Sequence, residues 1–426
     1  MPDGSGELGN YPERPPDVHI VSGSGIAKPR RSLDNLRLSL PHLVTHPTTP
    51  GMAKEKIKNA NSYSLVSPRF WHGMRFPYWL SLLRKNRFDI AWSRAHLAAG
   101  VSVFAPWNDL LAFIQHGLHG RAIEQTPLAG PPIFVLGHWR SGTTLLHEYL
   151  ALDQRFASPT TFQCFAPWHF LLTEGLFTRF GGFLLPERRP MDNMKAGWSL
   201  PQEDEFALMN LGAPTPYLRI LFPNHPVPYE GTLSSDSFSR EELEAWKQKF
   251  DWFLRAVTYK VQKPLILKSP PHTGRLGILR AMYPEAKFVH IVRDPRKVYP
   301  STLKLWKTLD EIQSLQSPTD ETRIREFVLR TLPTMYTSFE ADRIGLPDSQ
   351  IIDLRYEDFI VDPVSAMQRI YEQLQLGGFE SMRDRIVEKT SLERDYQTNR
   401  LEMTPEEERM VMDAWSDYAR RYHYDR

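Results

Sequence analysis

Gly137 to Thr144 reads G-H-W-R-S-G-T-T, with two glycines, an arginine and three hydroxyls in eight positions. Glycines spaced this way let a loop turn successive backbone N–H groups toward one point. A helix N-terminus aimed at that point makes it a cradle for a phosphate or sulfate. The spacing fits the nucleotide phosphate loop G-x-x-x-x-G-K-[ST] except at the lysine, where Thr143 stands. The nearest cation is Arg140, inside the loop, and a guanidinium grips several anionic oxygens at once without giving up its proton. This favours an anion that is held and neutralised over a Mg²⁺–ATP site. Arg293 and Ser301, eight positions apart, read as a second anion grip, a strand-end guanidinium followed by a hydroxyl early in a helix. The bland alternative there is an Arg293-Asp294 ion pair with Ser301 as a helix-start residue.

The elements that must position these groups can be read from periodicity. Ile133 to Leu136 is a short apolar strand, and Leu145, Leu146, Tyr149 and Leu150 recur at helical spacing after the loop. Pro264 to Leu267 is a second strand, ending in Lys268-Ser269, and a helical stretch from Thr273 to Met282 follows. Lys287 to Val292 is a third strand, ending in Arg293, and Ile351 to Leu354 is a fourth, ending near Tyr356. Helices are expected across 297–316 and 322–343. Capping boxes start helices at Ser239-Arg-Glu-Glu242 and Thr404-Pro-Glu-Glu407, Asp362-Pro363 opens another, and Gly377-Gly378 closes it. Strands alternating with helices imply a parallel sheet covered on both faces, with ligands beyond the strands' carboxyl ends. Arg140, Lys268, Arg293 and Tyr356 all follow strands and should converge.

Residues 1–60 are rich in Pro, Gly, Ser and charge and are expected to form a disordered tail, whose cluster Lys28-Pro-Arg-Arg31 reads as solvated. Residues 61–125 read as an N-terminal helical extension whose aromatic and aliphatic side chains lead into the core, with a membrane interface as the competing reading. The segment 165–260 reads as an acceptor-side cap, because its prolines deny it long regular elements. Within it, Arg188, Arg189, Asp192 and Trp198 either bind acceptor or hold the cap together. Two candidates for a general base appear: His272, and the acidic triplet around Glu203 and Glu205, which could equally be a solvated face.

The net charge of +2 over 426 residues gives no reason to expect nucleic acid as a partner. The single cysteine, Cys164, excludes an intrachain disulfide and cysteine-based metal sites, and suits a reducing, cytoplasmic compartment. No secretory signal is read at MPDGSGELGN. The longest apolar stretch, Ala95 to Trp107, is broken by Ser102 and Pro106 and is expected to be too short to span a bilayer, leaving a soluble protein with at most peripheral membrane contact.

On four ordered motifs the chain resembles the sulfotransferases that use 3′-phosphoadenosine 5′-phosphosulfate (PAPS). Arg140-Ser-Gly-Thr-Thr144 is similar to their 5′-phosphosulfate loop, with Trp139 where that branch usually has proline. Arg293-Asp-Pro-Arg-Lys-Val-Tyr-Pro-Ser301 is similar to the 3′-phosphate motif, Leu267-Lys-Ser-Pro-Pro-His272 to the second-strand motif, and Arg355-Tyr-Glu-Asp358 to the late Tyr-Glu-Asp element. The resemblance covers roughly 130–400. It implies an α/β fold, P-loop-like and three-layered (α/β/α) around a parallel sheet, within a domain spanning 126–426.

It further implies PAPS as co-substrate, no metal, and transfer of a sulfuryl group to a hydroxyl or amine. Arg140, Ser141, Gly142, Thr143 and Thr144 would hold the 5′ end of the donor, Arg293 and Ser301 its 3′-phosphate, and Tyr356 would sit at the adenine pocket. Arg140 and Lys268 would assist the leaving group. The base stays open among His272, Glu203 and Glu205. Glycans, steroids, lipids, peptides and small alcohols all remain candidate acceptors, and the oligomeric state is open. The competing readings are a phosphate-loop kinase-like phosphotransferase, which lacks its loop lysine, and a non-catalytic nucleotide-binding protein.

Overall fold

The computed structural model describes residues 67–186, 195–317, 319–393 and 401–425. The expected tail, with Lys28 to Arg31, lies outside the described residues, as do Arg188, Arg189 and Asp192. The sheet has four parallel strands, β1 (Ile133–Leu136), β2 (Ile266–Lys268), β3 (Lys287–Val292) and β4 (Ile351–Arg355), in the order β2-β1-β3-β4. Register pairs Phe134 with Leu267 on one side and with Phe288 on the other. Because side chains alternate along a strand, Ile133 and Val135 point into one apolar cluster and Phe134 and Leu136 into another. Both faces of the sheet are thus covered, which is what near-continuous apolar strands require.

The helices preceding the sheet are α1 (Phe76–Lys85) and α2 (Ala95–Gln125). After β1 come α3 (Thr143–Leu150), α4 (Thr161–Phe165), α5 (Phe170–Phe180), α6 (Asp204–Leu211) and α7 (Arg240–Val261). A 3₁₀ segment, Pro270–Arg275, precedes α8 (Leu276–Met282), so the stretch expected to be helical from Thr273 begins as a tighter coil behind Pro270-Pro271. Next are α9 (Pro295–Gln313), α10 (Glu321–Asp342), α11 (Tyr356–Val361), α12 (Pro363–Gln373), α13 (Glu380–Glu393), α14 (Pro405–Ala414) and α15 (Ser416–Arg421). The capping boxes at Ser239 and Thr404 are both formed, and the Asp362 side chain accepts the Ser365 N–H.

The connection through α3 packs Leu146, Tyr149 and Leu150 on one face of the sheet, whereas α9, following the adjacent strand β3, packs Val298, Tyr299 and Trp306 into the cluster on the other. Between β1 and β3 the chain therefore departs in opposite directions, which opens a crevice at the strands' carboxyl ends. The loops carrying Arg140 and Arg293 border it. Two sequence-based boundaries are blurred by packing. Trp71, Trp79, Val101 and Ile123 of the N-terminal extension share the core cluster of Phe134, and Phe250 of α7, assigned to the cap, stacks over the sheet with its ring 6.3 Å from Phe134.

The apolar run at Ala95 is also longer than expected. α2 continues through Pro106, and the segment Trp92–Gln125 is long and apolar enough to cross a membrane by length and composition, with a mean hydropathy of 1.5 in its most apolar window. Ser102 does not interrupt it, since its hydroxyl donates back to the Ala98 carbonyl at 2.8 Å and accepts from Trp79 Nε1.

Candidate functional site

The cradle is built from backbone that only its own residues allow. Gly137 has φ +146°, and a Cβ there would lie 2.5 Å from the Ile291 carbonyl oxygen. Its N–H donates to Thr273 Oγ1 at 2.8 Å, tying the loop's start to the segment after β2. Gly142 has φ +106°, and a Cβ there would lie 2.4 Å from Tyr356 Cδ2. Between them Ser141 Oγ donates to the His138 carbonyl at 2.8 Å, closing the turn. Arg140 itself sits at φ +70°, a left-handed conformation that costs a non-glycine residue about 1–2 kcal/mol. No side chain caps α3 at Gly142, so its first amide groups remain available to an anion.

The two anion grips meet. Arg140 Nε donates to Ser301 Oγ at 2.9 Å, and Arg293 Nη1 donates to the Arg140 carbonyl at 3.2 Å. The Arg293 guanidinium lies over the Tyr356 ring at 4.1 Å, a cation–π contact, while the same ring packs under Gly142. Tyr418 of α15 fixes the Arg293 backbone, accepting its N–H at 3.0 Å and donating to its carbonyl at 2.9 Å. Asp294 is occupied elsewhere, since it accepts the Arg296 N–H at 2.8 Å as the cap of α9. The Arg293-Asp294 ion pair weighed from the sequence is thus not the arrangement found.

The opposite wall comes from β2 and the start of α6. Lys268 Nζ, almost fully buried, donates to Glu203 Oε1 at 2.7 Å and reaches Thr144 Oγ1 at 3.4 Å. Tyr217 OH donates to Glu203 Oε2 at 2.5 Å and accepts from Trp139 Nε1 at 3.0 Å. Burial, with the Glu203 and Glu205 charges nearby, pushes the Tyr217 phenol well above its ordinary pKa, so it stays a donor. One cleft is lined by Trp139, Arg140, Thr143, Thr144, Glu203 and Tyr217. A second, sharing Phe70, Thr144 and Gln202 with the first, extends past Glu148 and Phe165 to Leu185 and Pro186.

Successive residues on a helix point about 100° apart, and this divides the acidic triplet. Glu203, the N-cap of α6, borders the cleft. Asp204 turns inward to His272 Nε2 at 2.7 Å and also accepts from the Ser269 hydroxyl. Burial works against the Asp204 charge, but the facing His272 and its hydrogen bonds outweigh that and hold its pKa below the usual carboxylate value. Glu205 forms a two-pronged pair with Arg275, at 2.7 and 3.0 Å, and both side chains are inaccessible to solvent. His272 is likewise fully buried, its ring packed edge-on to Phe134. Of the three base candidates only Glu203 is brought to the cleft. His272 and Glu205 instead brace the turn that carries it, and the triplet is not a solvated face.

Trp198, the remaining acceptor-or-cap candidate, is buried and donates to the Gly181 carbonyl at 2.7 Å, so it holds the cap together. Sequence reasoning missed Tyr217, which lies in the proline-rich stretch with no periodicity to mark it. It also treated Trp139 only as a departure in the loop, whereas its indole is buried and anchors the loop to Tyr217 and, 5.5 Å away, to Trp306. Among the described residues no cluster of three or more His, Cys, Asp or Glu side chains is placed to hold a metal.

The profile described as "Sulfotransferase family" matches residues 131–381 of the chain, which include both anion grips, Lys268 and Glu203. Two relatives, the omega-hydroxy-beta-dihydromenaquinone-9 sulfotransferases Stf3 of Mycobacterium bovis and Mycobacterium tuberculosis, are each 41% identical over 356 residues, covering 84% of this chain and 91% of theirs. Among solved structures, sulfotransferase STF1 of Mycobacterium tuberculosis aligns with a TM-score of 0.54 at 17% identity, over 80% of this chain and 90% of its own. STF9 of Mycobacterium avium aligns with the same score at 18% identity, over 82% and 96%. These two likenesses are of fold.

Proposed function

The chain belongs to the sulfotransferase family and is a sulfuryl-transferring enzyme, and from that premise we propose that its donor is PAPS and its acceptor a hydroxyl on an apolar, lipid-type molecule. The observation that carries the donor reading is the contact between the two grips at the β1/β3 crevice, Arg293 to the Arg140 carbonyl and Arg140 to Ser301. Two cationic groups joined in this way suit a single ligand with two phosphate-type groups. Arg140, the amides of Ser141 and Gly142, and the hydroxyls of Thr143 and Thr144 hold its 5′ phosphosulfate. Arg293 and Ser301 hold its 3′-phosphate, and Tyr356 braces both. The acceptor reading is supported by the menaquinone-type alcohol in the relatives' names and by the aromatic and aliphatic walls of the cleft, Phe70, Phe206, Trp306 and Leu309 among them.

By analogy with phosphoryl transfer, sulfuryl transfer is loose, and negative charge accumulates on the leaving phosphate oxygen. Arg140 and Lys268 stabilise that charge as fixed groups that need no reorganisation. Glu203 takes the acceptor's hydroxyl proton as the new S–O bond forms, and Tyr217 and Lys268 aim its carboxylate. Lys268 contacts both Glu203 and Thr144, so one cation serves the base before transfer and the leaving group during it. The segment 165–260 supplies part of the acceptor wall through Phe206 and Ile220, and Phe70, Trp306 and Leu309 supply the rest.

Transfer from labelled PAPS to a panel of alcohols, run alongside thermal shift with 3′,5′-adenosine bisphosphate, tests this. Stabilisation without Mg²⁺ is expected. The Arg140→Ala variant should lose at least about a hundredfold in kcat while keeping its fold, the scale seen when one charge-stabilising donor is removed. Undiminished transfer by that variant would refute the role of Arg140.

A further inference from the structure

α2 is apolar on both of its sides, with Leu97, Val101, Ala105 and Ile123 in the core. Its buried side includes the polar Asn108 and Gln115, whereas Val103, Phe104, Trp107, Leu110, Phe113 and Leu118 on the opposite side are 47–76% exposed. Both polar side chains bond within the protein, Gln115 through its oxygen alone. Asn108 donates to the His72 and Met74 carbonyls at 2.7 and 3.0 Å, and Gln115 accepts the Leu171 N–H at 2.9 Å. At about 100° per residue the exposed apolar positions fall on one half of the helix and the buried ones on the other. The stripe from Val103 to Leu118 runs for roughly 22 Å. From Ala95 to Gly120 the only charged side chain is Asp109, which is paired with Arg75 at 2.6 Å. An ordinary surface helix turns charged and polar residues to solvent, and a bare apolar patch this long marks an interaction surface.

We propose that this face lies flat in one leaflet of an anionic lipid bilayer and delivers the acceptor from there. Continuity with the site argues for lipid as the occupant. α5, whose first turn is bonded to Gln115, exposes Leu176 and Phe180 and is followed by exposed Phe183, and the chain then lines the Thr144 cleft with Leu185 and Pro186. An apolar surface thus continues along the chain into the wall of a cleft that reaches a loop threonine. The cations Arg84 and Arg87, beside exposed Phe88 and Trp92, and Arg121 at the far end flank the stripe. Basic and aromatic flanks of this kind are what an interfacial helix presents to anionic headgroups. The helix does not span the bilayer, because its other side is packed along its length on Trp79 and the core of this same domain. The proposal rests on the lipid-acceptor reading above, and its test separates the two.

Full-length protein is spun with vesicles of phosphatidylcholine containing a minority of phosphatidylglycerol, and compared with the variant Phe104→Gln/Trp107→Gln/Phe113→Gln. Wild type should sediment with the vesicles, and the variant should bind roughly a hundredfold more weakly, since interfacial affinity scales with buried apolar area. The three side chains touch neither the donor loop nor the cleft, so the variant should turn over a short, water-soluble alcohol as wild type does. It should lose turnover only of a lipid alcohol presented in vesicles. Wild type remaining in the supernatant overturns the docking face, and so does unchanged vesicle binding by the variant. A wild-type dimer that the variant converts to monomer overturns it in favour of a second copy on this face. Failure of all acceptors with both proteins would strike at the functional reading instead.

Discussion

Replacing Glu203 by Gln keeps the side chain's shape and removes its charge and basicity. In the native site one carboxylate oxygen accepts from Lys268 at 2.7 Å and the other from Tyr217 at 2.5 Å. The amide keeps one acceptor, so either the lysine or the phenol faces an NH₂ group. Lys268 has 2% side-chain exposure and Glu203 16%. Stripping a buried cation of its partner costs about 3–5 kcal/mol, and the water that reaches Glu203 should hold the loss to about 3. A lost general base lowers the rate by about 10²–10⁴-fold, or about 3–5 kcal/mol of barrier. The assay is kcat with saturating PAPS across pH, with urea unfolding of both proteins in parallel. E203Q should lose kcat at every pH while adenosine bisphosphate still binds, because the grips at Arg140 and Arg293 are untouched. A kcat within about threefold of wild type, with the fold intact, would refute Glu203 as the base.

Two other perturbations follow from the geometry. Gly142→Ala must place a methyl 2.4 Å from Tyr356 at φ +106°, so either the loop or the ring that carries Arg293 moves. Donor affinity should fall by about tenfold or more and Tm should drop, and a variant with wild-type affinity by calorimetry would contradict the cradle. Acid should weaken the fold through His138 and His147, whose burial holds both imidazoles down to about 3, with the Lys268 charge adding to the effect at His147. Below about 6.5 the unfolded chain takes up protons that the folded one refuses, so stability is full above that pH and falls as pH drops toward 3. Together the two should remove up to about 2.7 kcal/mol per pH unit. Asp204, whose pKa is lowered in the fold, acts in the same direction. Urea midpoints at pH 7 and pH 5 check this, and an unchanged midpoint would contradict it.

What could be read from the residues alone was whatever neighbours in the chain decide. Ile133–Leu136 and Lys287–Val292 are strands at the expected limits because an apolar run bounded by a glycine or a charge leaves little choice of length. Ser239 with Glu242 and Thr404 with Glu407 satisfy each other within one turn. The convergence of Arg140 and Arg293 was legible too, since strand ends in a parallel sheet share one edge. Choosing among Glu203, Glu205 and His272 depended on partners much further along the chain: Lys268, Arg275 and Tyr217 each reach the triplet from a separate segment. The same holds for α2. Its composition looked like core on every side, and only tertiary packing decided which apolar side was buried, with Asn108 and Gln115 bonded to His72, Met74 and Leu171, and which was left bare. Period and caps are set by contacts a few residues apart, whereas which side of a helix is buried, and which carboxylate is left beside the cleft, is set by contacts that exist only once the chain has folded.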